Sequence, residues 1–131
     1  MSKLFVDIRI TDLDADATQP SPTAPGLRLM HLCLSEAPPE VWRQFFHAER
    51  QFARHSVWRR AWVESAAIVV DCVPEELEQS QLIDLKQDVA RSNAKFRDYL
   101  AEQARRGGAV LQAEHQERER IEEVRRRLDF G

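Results

Sequence analysis

The sequence predicts an α+β fold: a four-stranded antiparallel sheet in the order strand, strand, helix, strand, strand, helix, with a long C-terminal helix. Three observations carry this. Short runs of alternating or continuous apolar residues come in two pairs. Each pair is followed by a proline-started, acidic helix opening, "PPEVW" and then "PEEL". From Leu82 to Tyr99 the apolar residues keep heptad spacing. The 131 residues make one ordinary domain, 43% hydrophobic and 31% charged; the first figure suffices for a core, and the second exceeds the usual level of roughly 25%.

"KLFVDIRI" alternates, placing Leu4, Val6, Ile8 and Ile10 on one face and Phe5, Asp7 and Arg9 on the other, the pattern of a half-buried strand. "TDLDADATQPSPTAPG", residues 11–26, is acidic and then rich in Pro, Ser and Thr. It reads as a mobile loop. "LRLMHLCLS" is a second strand, with Met30, Leu32 and Leu34 opposite Leu29, His31 and Cys33. A helix then starts at the paired prolines. Its expected buried stripe is Val41, Phe45, Ala48 and Phe52, with Trp42 beside it. "SVWRRAWVES" and "AAIVVDCV" read as two strands joined near Glu64–Ala67, although that turn has no glycine.

The last helix opens at Pro74, Glu75 and Glu76. Leu82, Val89 and Phe96 lie seven apart, with Leu85, Ser92 and Tyr99 between them. Gly107–Gly108 interrupts the pattern. Beyond it, Val110, Glu117 and Val124 continue at seven, with Glu114, Ile121 and Leu128 between. This part is thin in apolar residues and dense in opposite charges. The expectation is therefore a single α+β domain over 1–106 and a charged helical extension over 107–131, either held by charge pairs or partly disordered.

The net charge of −3 is unevenly spread. Residues 1–40 carry three basic and six acidic groups, residues 41–73 five and three, and residues 74–131 eleven and thirteen. A chain held mainly by phosphate contacts shows a larger basic excess, so nucleic acid is a possible but less favoured partner. No apolar run is long enough for a membrane span, and the N-terminus lacks the apolar stretch of a signal peptide. A cytoplasmic location and no membrane partner are expected. There Cys33 and Cys72 would be reduced core residues.

No motif commits to a chemistry. His47 and His55 stand eight apart without an acid–histidine pattern, and no further ligands complete His31 and Cys33, so no metal is expected. Asp12, Asp14 and Asp16 begin like a calcium loop. Ala17 and Thr23 stand where the glycine and the closing glutamate belong. None of the four glycines opens a helix after a strand, so no nucleotide loop is expected. Catalytic residues and cofactors are expected to be absent.

Two surfaces remain as binding candidates. Arg43, His47, Arg50 and Arg54 lie at i, i+4, i+7 and i+11 and would form an exposed basic stripe, with Arg60 just beyond the helix. The second is a sheet face carrying Arg9, His31, Arg60 and Trp62, which would be exposed if the tryptophans do not face the core. For the long helix, Leu82, Val89, Phe96 and Tyr99 are the expected dimerisation seam. A helix of about 50 residues spans about 75 Å, while a domain of this size has a radius of gyration of about 14 Å. A second copy, or a fold-back at the diglycine, would then cover the seam. The expected function is that of a small non-enzymatic interaction protein, such as an adaptor, an inhibitor or immunity-type partner, or a subunit of a larger assembly. It would be homodimeric through its long helix, and its protein partner cannot be named. The alternative is a nucleic-acid-binding or regulatory protein that uses the Arg43, Arg50 and Arg54 stripe.

Overall fold

A computed structural model describes residues 4–129; residues 1–3, 130 and 131, which the expectations above include, lie outside them. The fold is α+β. Strands β1 (Ile10–Pro20), β2 (Arg28–Leu34), β3 (Ala61–Glu64) and β4 (Ala67–Cys72) form one antiparallel sheet in the order β1-β2-β4-β3. Helix α1 (Glu40–Arg50) follows β2. After β4 come a short helical turn α2 (Pro74–Glu76), a π-helical turn (Leu77–Gln81) and the long helix α3 (Leu82–Arg127).

The sheet has one fully apolar face. Met30 pairs with Val70 and Leu32 with Ile68; Ala61 and Val63 pair with the same two β4 residues from the other side. All of these are buried, together with Trp42 and Phe46 of α1 and Leu85, Val89 and Phe96 of α3. Central β4 is buried along Ile68–Cys72, as expected of a strand flanked on both sides and covered on both faces. The β3–β4 connection is a two-residue turn, Ser65–Ala66, and Ser65 adopts φ +54°. A serine thus takes the left-handed conformation for which hairpins usually recruit glycine or asparagine.

Two local readings are corrected. The first strand is not residues 3–10: residues 4–9 lie outside the sheet, and β1 occupies much of the stretch read as a loop. Val6 and Leu4 are exposed, and Ile8 alone of that first alternation is deeply buried. Phe5, from the opposite parity, meets Phe96 edge-on at 4.6 Å between centroids. β1 is an edge strand, with register breaks between Ile10 and Asp12 and between Asp14 and Gln19. Acidic residues, a terminal proline and bulges all suit an edge, because they discourage pairing with another chain. They also hide the strand from a propensity reading.

Helix α1 also buries a different face from the one expected. Its buried face is Trp42, Phe46 and Arg50; Val41 and Phe45 are half-buried, and Ala48 is exposed. Phe52 lies past the helix end and is 74% exposed. Counting it as helical extends the wrong stripe, while the arginine at position 50 disguises the right one.

The chain divides into two units, one ending at Arg97 and one beginning at Asp98. This boundary lies before the diglycine. α3 continues through Gly107 and Gly108 without a break. In the second unit every described residue is exposed except Tyr99 and Glu102, which are intermediate. Charge pairs three and four apart line it: Glu117–Arg120 at 2.9 Å, Glu122–Arg125 at 3.2 Å and Glu102–Arg106 at 3.1 Å.

Candidate functional site

The expected basic stripe does not form a free surface. Arg50 is 7% exposed. Its Nη1 donates to Asp88 Oδ2 at 3.0 Å, and its Nη2 donates to the Arg59 carbonyl oxygen. The guanidinium lies 3.6 Å from the Trp58 ring centroid, and the Trp58 indole N–H returns a bond to the Arg50 carbonyl oxygen at 3.4 Å. Burial pulls the Arg50 pKa down, and Asp88 opposes that through its hydrogen bond and its charge. Arg54 also donates to Asp88, at Oδ1, and lies over the same Trp58 ring at 4.5 Å. Arg91 approaches Asp88 Oδ1 at 3.4 Å. Asp88, fully buried, thus gathers three guanidinium groups. This cluster ties the end of α1 and the segment after it to α3.

His47 is also engaged, in a different way. Its Nε2 accepts the Val63 backbone N–H at 3.1 Å. β3 is an edge strand, and the imidazole satisfies a donor that an edge would otherwise leave to water or to another chain. Accepting requires an unprotonated Nε2. Burial lowers the His47 pKa, and the Arg43 charge lowers it further. The sign is fixed by linkage: with the folded pKa below the unfolded value near 6.5, this contribution is fully present above that value. It is lost as pH falls through the folded pKa. We expect the wild-type Tm to drop between pH 7.5 and pH 5 by more than that of His47→Gln, which can accept the same bond without titrating. Equal drops would show that His47 carries none of the dependence.

Arg43 is half-buried, and its Nε has no hydrogen-bond partner. Arg9 is exposed. Its amide donates to Ser35 Oγ at 3.0 Å, and its carbonyl accepts from the Ser35 amide at 2.8 Å. It lines an open groove of about 390 Å³ with Asp7, Ile8, Ile10, Lys86 and Val89.

The second sheet face is assembled in part. Asp14, His31, Val69 and Trp62 align in one row across the four strands. The Arg60 guanidinium lies 5.3 Å from the Trp62 ring centroid. His31, Cys33 and Trp62 are half-buried, but Val69 and Asp71 on the same face are buried. Thr23 reaches in from the loop before β2 and donates its hydroxyl to Asp71 Oδ2 at 2.9 Å. This face is therefore partly closed by the protein itself. Trp58 is not on it; its ring serves the arginine cluster.

Of the expected dimer seam, Val89 and Phe96 are buried in the core of the first unit, whereas Leu82 and Tyr99 are intermediate. Sequence reasoning missed Asp88 and Asn93. Asn93 Oδ1 accepts both the Ile8 amide at 3.0 Å and the Trp42 indole N–H at 2.9 Å, while its Nδ2 donates to the Ile8 carbonyl oxygen at 2.9 Å. The available signal was position: Leu85, Asp88, Ser92 and Asn93 share a helical face with Val89 and Phe96, so their polar groups had to find buried partners.

Cys33 and Cys72 are unpaired. Burial, followed by the negative charge of Glu76, pushes the Cys72 thiol up to about 11, which makes it a poor nucleophile. Burial would also raise the Glu76 pKa, but a two-bond pairing with Arg59 at 3.1 and 3.2 Å and the Val73 amide hold it below the usual value. Among the described residues, no three or more His, Cys, Asp or Glu side chains are grouped to hold a metal, and no helix is long and apolar enough to cross a membrane. No family model, curated protein or solved structure matches the chain.

Proposed function

We propose that the chain is a non-enzymatic interaction protein of the cytoplasm that binds another macromolecule through its C-terminal helix, the α+β unit being a folded scaffold. One observation carries this reading. Ile121, Val124 and Leu128 recur at i, i+3 and i+7 on α3 and just past its end, and all three are exposed. An apolar stripe at that spacing is the form in which a helix docks into a groove or onto another helix. Val89 and Phe96 are committed to the core, so the recognition element is the segment after Arg97 rather than the seam expected from Leu82, Val89, Phe96 and Tyr99. Engagement of Arg50 and Arg54 by Asp88 weighs against the nucleic-acid alternative. Two unpaired cysteines fit a reducing compartment.

A photo-cross-linking residue placed at Val124 in the native host should trap a discrete partner, and the trapped band should vanish when Ile121→Asp is added. The same probe at Glu119, on the opposite helix face, should trap none. A partner captured from Glu64 on the sheet but not from Val124 would reject the helix and return the reading to the sheet face.

A further inference from the structure

The charges that border the apolar stripe define the partner more closely, given the proposed role of the helix. Viewed down α3, Ile121, Val124 and Leu128 continue the line of Val110. Arg118 and Arg125 border this line on one side, Arg120 and Arg127 on the other. Both borders of the last two heptads are thus purely cationic. Glu119, Glu122 and Glu123 stand away from the stripe, so the segment is segregated although its acids and bases nearly balance. Arg120 and Arg125 do pair with Glu117 and Glu122. Those pairs are solvent-exposed and three residues apart, a class of contact that a partner displaces at little cost.

We propose that this surface, whose shallow concavity is lined by Glu117, Arg120, Ile121, Val124, Arg125 and Leu128, docks an amphipathic helix of another protein whose apolar stripe is bordered by acidic residues. Charge complementarity selects this occupant over a second copy. In a parallel pair of this helix each border faces the opposite border of its mate; in an antiparallel pair each faces its own equivalent. Either way arginine meets arginine. Within the stripe itself Glu114 and Glu117 take seam positions; a parallel pair sets each of these acids against its own copy, and an antiparallel pair that aligns the stripes sets Glu117 against Leu128. Such features act against self-pairing while leaving a complementary partner favourable. The partner's seam is expected to offer a cation opposite these two acids.

The full chain should be titrated by fluorescence anisotropy with two synthetic helical peptides. Both have a leucine and isoleucine seam with a central pair of lysines; one has glutamate at every border position and the other has lysine. The acidic peptide should bind at least about ten-fold more tightly at low salt, and the gap should shrink at high salt as the borders are screened. Changing Arg118, Arg120, Arg125 and Arg127 together to Glu should reverse the preference, with an unchanged melt of the α+β unit confirming the fold. Equal binding, preference for the lysine peptide, or no binding of the acidic peptide would overturn the proposal. So would a dimer mass without peptide, or phosphatidylserine vesicles that displace the acidic peptide. If Val124 still cross-links a partner while the acidic peptide fails, the docking helix stands and its acidic partner falls. If Val124 traps nothing as well, both fall.

Discussion

Trp42→Ala and Phe46→Ala are each expected to destabilise the protein by about 3–5 kcal/mol, the cost of removing a large buried aromatic and leaving a cavity. Both rings are fully buried and stack 5.7 Å apart at an interplanar angle of 7°. They fill the space between α1, the sheet and α3. For a folded unit of about 100 residues this lowers Tm by more than about 10 °C. Phe52→Ala, by contrast, should change stability by no more than about 0.5 kcal/mol, because the ring already faces solvent. Urea melts of the three variants decide the matter. A Phe52→Ala loss equal to that of Phe46→Ala would restore the stripe that the sequence suggested and reject the observed helix face.

Asp88→Ala should cost about 3–5 kcal/mol, because it leaves the Arg50 charge buried without its partner. Arg50 has limited means of relief: its side chain is 3% exposed, and the Trp58 ring and the Arg59 carbonyl hold it in place. The informative control is the double variant Arg50→Met with Asp88→Leu. Replacing a buried pair by apolar groups of similar volume is often neutral. The double variant should therefore be more stable than Asp88→Ala alone, even though it removes more polar contacts. A double variant as unstable as the single one would mean that the cluster stabilises through Arg54 and Arg91, with Arg50 a bystander.

The sheet, three of its four strands and both helices were legible because their periodicity is simple. β2 shows a clean alternation, β4 a continuous apolar run, and α3 a heptad repeat, and each of these patterns comes from which faces are buried. Failures occurred where polar residues occupy structural positions. β1 is an edge strand built of Asp, Thr and Gln with two bulges, so it has neither the propensity nor the pattern of a strand. Arg50 and Asp88 are deep in the structure, but each looks like surface until its partner is known, and the two are 38 residues apart. The basic stripe was read rightly for the exposure of His47 and Arg54 and wrongly for Arg50, which is buried, and Arg54 lies beyond the end of α1. On the sheet, by contrast, alternation within β2 and β3 set His31 and Trp62 opposite the core residues of their own strands, and the pairing of both with Val69 puts them on one face.

The Asn93 clamp sets a timetable for the growing chain. Its side chain holds both backbone polar groups of Ile8, a residue 85 positions earlier. At a synthesis rate of about 5–20 residues per second, the Ile8 segment waits roughly 4–17 s before its partner is even made. β2 meets β1 early, Leu34 pairing with Ile10 and Leu32 with Leu13, but its other neighbour is β4, so Met30 and Leu32 lack Val70 and Ile68 until residues 67–72 have emerged. The Ile8 segment is thus made well before it is locked. For that interval the nascent chain carries an unfinished apolar face, and this is the stage at which a ribosome-associated chaperone has most to protect.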